Sequence, residues 1–162
     1  MQYVTYKRAI IILVSMAMCF AVLGCSASEK TGAEQAADYQ SLESVSQFLN
    51  LFNGEFYKAF AYAQRGETEK AAELYQKLYD CADALDKETE VPPKAEGAHK
   101  ELVGTAVCCV RTADCLVDTA EDIRLGGDGV KGFGSAGRTF DEVKECWKAY
   151  KAEIAKLEAD TN

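Results

Sequence analysis

The sequence predicts an all-α chain: an antiparallel up-down four-helix bundle behind an apolar amino-terminal leader. Three observations carry that reading. Four segments after residue 34 repeat their apolar residues in alternating steps of three and four, the pattern of helices packed along a seam. Short breaker runs at Gly66, Pro92-Pro93 and Gly126-Gly127 separate them, and short connections make neighbouring helices antiparallel. No stretch alternates apolar and polar residues with the two-residue period of a half-buried strand.

The leader comes first. Met1 to Arg8 carries Lys7 and Arg8 and no acid, and Ala9 to Leu23 is apolar apart from Ser15 and Cys19. A basic start and an apolar core too short to span a bilayer comfortably have the layout of a secretory signal. The run closes on Val22-Leu23-Gly24-Cys25: aliphatic residues, a small residue, then cysteine. This resembles the lipobox of bacterial lipoproteins, over residues 1–25. The resemblance implies a diacylglyceryl group on the Cys25 sulfur, removal of residues 1–24, and often acylation of the new amino terminus. Cys19 competes for the role, but Met18 before it is too bulky for the small position. One acyl chain holds a bilayer marginally and two or three hold it firmly, so the implied partner is a membrane, gripped through lipid from its extracytoplasmic face. Ser26 follows the cysteine, which in a two-membrane cell resembles outer-membrane lipoproteins; in a one-membrane cell the place is the outer leaflet.

Removing residues 1–24 leaves 138 residues, enough for one domain. Residues 25–33 read as the lipidated cysteine and a short polar tether, and 34–162 as the helical domain. The leader holds two of the 18 basic residues and none of the 26 acidic ones. The remainder has 16 against 26, a net charge of −10. That balance argues against nucleic acid and against electrostatic adhesion to anionic lipid.

The first segment, about 34–64, has its seam at Leu42, Val45, Leu49, Phe52, Phe56, Ala59 and Ala63, with Thr31 and Glu34 spaced as a capping box. Gly66 ends it and Thr68 is placed to cap the second, about 69–87, whose seam is Ala71, Leu74, Leu78, Cys81 and Leu85. Adjacent prolines then exclude helix. The third, about 94–125, runs through His99, Leu102, Ala106, Cys109, Ala113, Leu116 and Ala120. The fourth keeps the repeat from Phe133 to Leu157 through a stretch with six glycines between 126 and 137. Glycine costs about 1 kcal/mol per helix position, yet the register is unbroken. The expectation is therefore helix, capped at Asp128 and frayed before about Ser135.

Several motifs carry letters of chemistry. Gly127-Asp128-Gly129-Val130-Lys131-Gly132 fits G-x-G-x-x-G, but that fingerprint needs a strand before it, and here a helix precedes; the expectation is a close-packed corner. Glu96 and His99 have the Glu-x-x-His spacing of di-iron bundles, but the chain has one histidine, so a second copy is excluded and His99 is expected as a half-buried, hydrogen-bonded side chain. Besides Cys25, the mature chain carries Cys81, Cys108, Cys109, Cys115 and Cys146, with no Cys-x-x-Cys pair. If the last two helices turn back at Gly127, Cys146 faces Cys108, with Cys109 the close alternative: a candidate disulfide. Cys81, Cys109 and Cys115 on one face would be a soft-metal alternative. Glu55 to Tyr79 resembles one tetratricopeptide unit at Ala59, Tyr62, Gly66, Ala71 and Tyr75, but no second copy stacks on it, and the expected reading is two helices crossing over small residues. The aromatic stripe Phe48, Phe52, Phe56 and Phe60 is expected as core.

With no assembled acid–base, nucleophile or metal constellation, the expected function is non-enzymatic and without cofactor. It is a lipid-anchored envelope module contacting another envelope protein or the cell-wall layer. The alternative is a bundle holding a small ligand or metal beside His99.

Overall fold

The computed structural model describes residues 30–160, so the leader, the lipobox and Cys25 lie outside the described residues. Among the described residues there are six α-helices and one 3-10 turn, and no strand. The helices are α1 (Gly32–Ser41), α2 (Glu43–Gly54), α3 (Lys58–Gln64), α4 (Thr68–Asp86), α5 (Glu96–Arg124) and α6 (Val130–Ala159), with the 3-10 turn at Pro93–Ala95. No helix among these is long and apolar enough to cross a membrane.

The capping box forms as the spacing predicts. Thr31 Oγ1 accepts from the Glu34 amide at 3.3 Å, and the Glu34 carboxylate accepts the Thr31 amide at 2.8 Å, so two otherwise unpaired donors are satisfied. The helix begins at Gly32, two residues before the expected start at 34. Gly32 is seated on the end of α6: its amide donates to the Asp160 carbonyl at 3.0 Å, and a Cβ there would come within 2.8 Å of Asp160 Cβ. Glycine is what lets the two ends of the domain meet.

The single first helix expected over 34–64 is instead three. At Leu42 the backbone is extended (φ −56°, ψ 137°). Hydroxyls surround the break and take local partners: Ser41 Oγ donates to the Asp38 carbonyl at 2.7 Å and Ser46 Oγ to the Glu43 carbonyl at 3.0 Å. Such bonds offer the backbone an alternative to the helix ladder. The second break follows Asn53-Gly54, both poor helix formers. There the amides of Glu55 and Phe56 both donate to the Leu51 carbonyl, at 2.9 and 3.1 Å, in a widened turn. The seam nonetheless survives: Val45, Phe52, Phe56, Ala59 and Ala63 are all buried. Apolar periodicity reports which face is covered, not whether the backbone is continuous.

Gly66 turns the chain in a left-handed conformation (φ 64°), and a Cβ there would press within 3.2 Å of the Arg124 amide nitrogen. Thr68, expected as a cap, is the first residue of α4, and its hydroxyl donates to Glu121 Oε2 at 3.2 Å. At the other corner the cap of α6 is Gly129 (φ 66°) and not the expected Asp128: the Gly129 amide is held by Asp122 Oδ2 at 2.9 Å, and Asp128, one residue earlier, accepts the Val130 amide on Oδ1 at 3.0 Å. The register therefore outweighs the glycines, and helix runs from Val130 without waiting for Ser135.

Facing residues give the helix directions. On α5 and α6, Gly97 meets Glu153, Arg111 meets Glu142 and Thr119 meets Gly132, so the two run antiparallel. Glu55 pairs with Lys77, and Ser44 Oγ donates to Glu88 Oε2 at 2.6 Å, aligning α2 against α4 in the same sense. Phe52 packs on Trp147 with ring centroids 4.8 Å apart and Phe60 on Phe140 at 5.4 Å, which sets α2 and α3 against α6. Of the expected aromatic core, three rings are buried and Phe60 is half-buried at its edge. Phe48, Phe52 and Phe56 are buried and stack at 5.9 and 5.6 Å, and each such burial contributes about 1.5–3 kcal/mol.

Candidate functional site

The α5–α6 interface brings two thiols together. Antiparallel alignment sets Cys108 of α5 opposite Cys146 of α6. Cys146 Sγ packs over Gly104, one turn earlier on α5, where a Cβ would lie in ordinary contact with it at 3.7 Å. Cys108 and Cys146 line one cleft side by side. Cys108 Sγ also lies 3.9 Å from Glu142 Oε2, which accepts from Arg111 Nη1 at 2.7 Å. Burial first, and then the neighbouring Cys146, push the Cys108 thiol up to about 11. A surface cleft of about 540 Å³ opens over the pair, with Arg138, Asp141 and Lys144 on its rim. All five described cysteines are free thiols. Cys109, the expected alternative partner, is fully buried, and burial holds its thiol far above the ordinary value; it packs as a small hydrophobe.

A second polar cluster closes the end of the domain where α1, α2 and α5 meet. His99 is half-buried, and its Nδ1 lies 3.4 Å from the Tyr39 hydroxyl, the rings standing edge to face at 5.9 Å. Tyr39 is fully buried, and burial raises its phenol far above the usual range. It therefore stays protonated, and the direction of its bond with Nδ1 follows the imidazole tautomer. Burial lowers His99 below its ordinary value, against the opposing pull of Glu88 and Asp86. The Ser44 hydroxyl, and then the Glu90 amide, hold the Glu88 carboxyl below the usual carboxylate range. Among the described residues no buried side-chain nitrogen or oxygen is left without a hydrogen bond. The expected half-buried, bonded histidine is what stands here.

Sequence reasoning did not reach Tyr39. Running the first seam backward from Leu42 by its own steps leads to Asp38, yet the buried residue is Tyr39. The extended residue at Leu42 rotates α1 relative to α2, and only the backbone carries that rotation.

Metal alternatives are not assembled. Among the described residues no three histidine, cysteine or carboxylate side chains gather as a metal site. Glu96 and His99 thus stay without further ligands, and Cys81, Cys109 and Cys115 do not form the soft-metal cluster that one shared face would have made. The glycine corner is close-packed: a Cβ on Gly129 would lie 2.9 Å from Ile123 Cδ1, and one on Gly132 the same distance from Thr119 Cβ. Beside it a cleft of about 770 Å³ is lined by Asp118, Asp122 and Asp128 against Lys131. That charge repels phosphate, and Asp122 already occupies the Gly129 amide. The tetratricopeptide-like stretch is α3 and α4 meeting over small residues, with Ala59, Ala63 and Ala71 buried. Comparison with family models, curated proteins and solved structures finds no match.

Proposed function

We propose that this chain is a lipid-anchored, extracytoplasmic, non-enzymatic lipoprotein of a bacterial envelope, whose domain docks a basic segment of a partner protein. In this reading α1–α3 form one bent rod, and α4, α5 and α6 are the other three rods of an up-down bundle. The antiparallel facing pairs support that arrangement. The leader ending in Val22-Leu23-Gly24-Cys25 supports the anchor.

One observation carries the docking reading. On α4 and α5, Tyr79 and Val107 are about half exposed, at 50% and 49%, and stand side by side in one groove. With Ala82 and Val110 they floor a groove of about 310 Å³, flanked by Asp83 and Asp86, with Arg111 also on its wall. An apolar floor beside acids, in a mature chain of net charge −10, complements a basic amphipathic segment.

Two measurements test the reading. The mass of protein extracted from bacterial membranes is expected to start at Cys25 and include diacylglycerol; retention of residues 1–24 overturns the anchor. A photo-crosslinker at Val107 in intact cells is expected to give one discrete protein adduct, lost on combined Asp83→Lys and Asp86→Lys substitution. An adduct indifferent to that charge reversal, or none, overturns the docking surface. Turnover by the purified domain would end the non-enzymatic reading.

A further inference from the structure

We propose that Cys108 and Cys146 are the site of an inter-helix disulfide that fastens α5 to α6. The inference rests on the extracytoplasmic placement for its oxidant, and on the geometry for its partners. Cys108 and Cys146 line the same cleft, and Cys146 Sγ packs over Gly104, one turn from Cys108 on α5. Neighbouring contacts hold the helices together there: Arg111 reaches Glu142 at 2.7 Å, and the Thr112 and Thr139 hydroxyls lie 2.9 Å apart one turn on. Those contacts fix the two helices against one another at the level of the cysteines, the condition a disulfide needs. Both cysteines border the surface cleft, with Cys146 the more accessible.

The oxidant is the disulfide of a disulfide-donating oxidoreductase. Cys146, half-buried and the more accessible, loses its proton and attacks one carrier sulfur; the carrier disulfide breaks and releases a thiolate. Cys108, deprotonated in turn, attacks the Cys146 sulfur of the mixed disulfide and displaces the second carrier thiolate. Two protein thiols have then given up two electrons and two protons, and the carrier disulfide has become a dithiol. In the reverse direction Cys108 is a poor leaving group, because its buried thiolate is disfavoured, so the bond resists reduction once made. Cys81, Cys109 and Cys115 remain thiols.

The test has two arms. Purified full-length protein, reduced and then treated with oxidised glutathione, is alkylated without reductant and mapped by peptide mass. Cys108 and Cys146 are expected to escape alkylation as one crosslinked peptide. Cys108→Ser and Cys146→Ser should each abolish the crosslink, and Cys109→Ser should leave it. No crosslink, or one lost with Cys109→Ser instead, overturns the pairing. The same mapping on protein taken from bacterial membranes tests location. A pair that crosslinks in glutathione but is fully alkylated from membranes contradicts the extracytoplasmic reading and leaves the pairing standing.

Discussion

Gly132 of α6 lies so close to Thr119 of α5 that a Cβ built on it would sit 2.9 Å from Thr119 Cβ and 3.3 Å from Thr119 Cα. Thr119 cannot yield readily. It is buried and β-branched, and its hydroxyl donates to the Cys115 carbonyl at 2.6 Å. Gly132→Ala is therefore expected to destabilise by about 1–3 kcal/mol through overpacking, more than the ~1 kcal/mol that alanine gains in a helix. Gly134 and Gly137, on the same helix, have nothing within 4 Å of such a Cβ. Gly134→Ala and Gly137→Ala should each stabilise by about 0.5–1 kcal/mol. Urea denaturation of the four proteins checks both signs.

Thr112 and Thr139 meet in the buried α5–α6 interface with their hydroxyls 2.9 Å apart. Each has a carbonyl of its own helix within reach, Cys108 at 2.9 Å for Thr112 and Ala136 at 3.1 Å for Thr139. Thr112→Val or Thr139→Val alone should cost about 1 kcal/mol, because the remaining hydroxyl can turn to its own carbonyl. The double variant should cost less than the two singles added, which a double-mutant cycle measures directly.

Acid is expected to weaken the fold in two stages. His99 has a folded value below its ordinary one, so the unfolded chain binds its proton more readily. Its contribution is present above about pH 6.5 and is lost as pH falls toward the folded value. The Glu88 carboxyl is also held down, and its contribution is present above about pH 4.3 and lost below. Both therefore lower stability in the same direction. His99→Gln, which keeps an acceptor for Tyr39, should flatten the loss between pH 7 and 5.5, a range set by ordinary imidazole titration (~6.5). The steeper loss in stronger acid should remain.

Phe56 is fully buried and contacts Phe52 at 5.6 Å and Phe140 at 6.0 Å. Phe56→Ala should cost about 3–5 kcal/mol by removing apolar contact and leaving a cavity. Trp147, the only tryptophan, packs on Phe52 and Tyr150 and reports unfolding by fluorescence.

The helical class, the faces that are buried and the corners at Gly66, Pro92-Pro93 and Gly126-Gly127 were legible in the residues, because periodicity and breaker chemistry act within a few positions of the chain. The Thr31–Glu34 cap was legible for the same reason, and so was helix through the glycines of α6. The breaks at Leu42 and Glu55 were not, since a seam stays apolar whether or not the backbone beneath it is continuous. Tyr39 reaching His99 depended on the rotation introduced at Leu42. A turn at Gly127 set Cys146 opposite Cys108 with Cys109 the close alternative, and local spacing went no further. Which sulfur it meets was decided by the rotation of α5 about its own axis, which turns Cys109 into the core and Cys108 toward the interface. Local rules carry no term for that rotation; it is set by how all the helices fill the space between them.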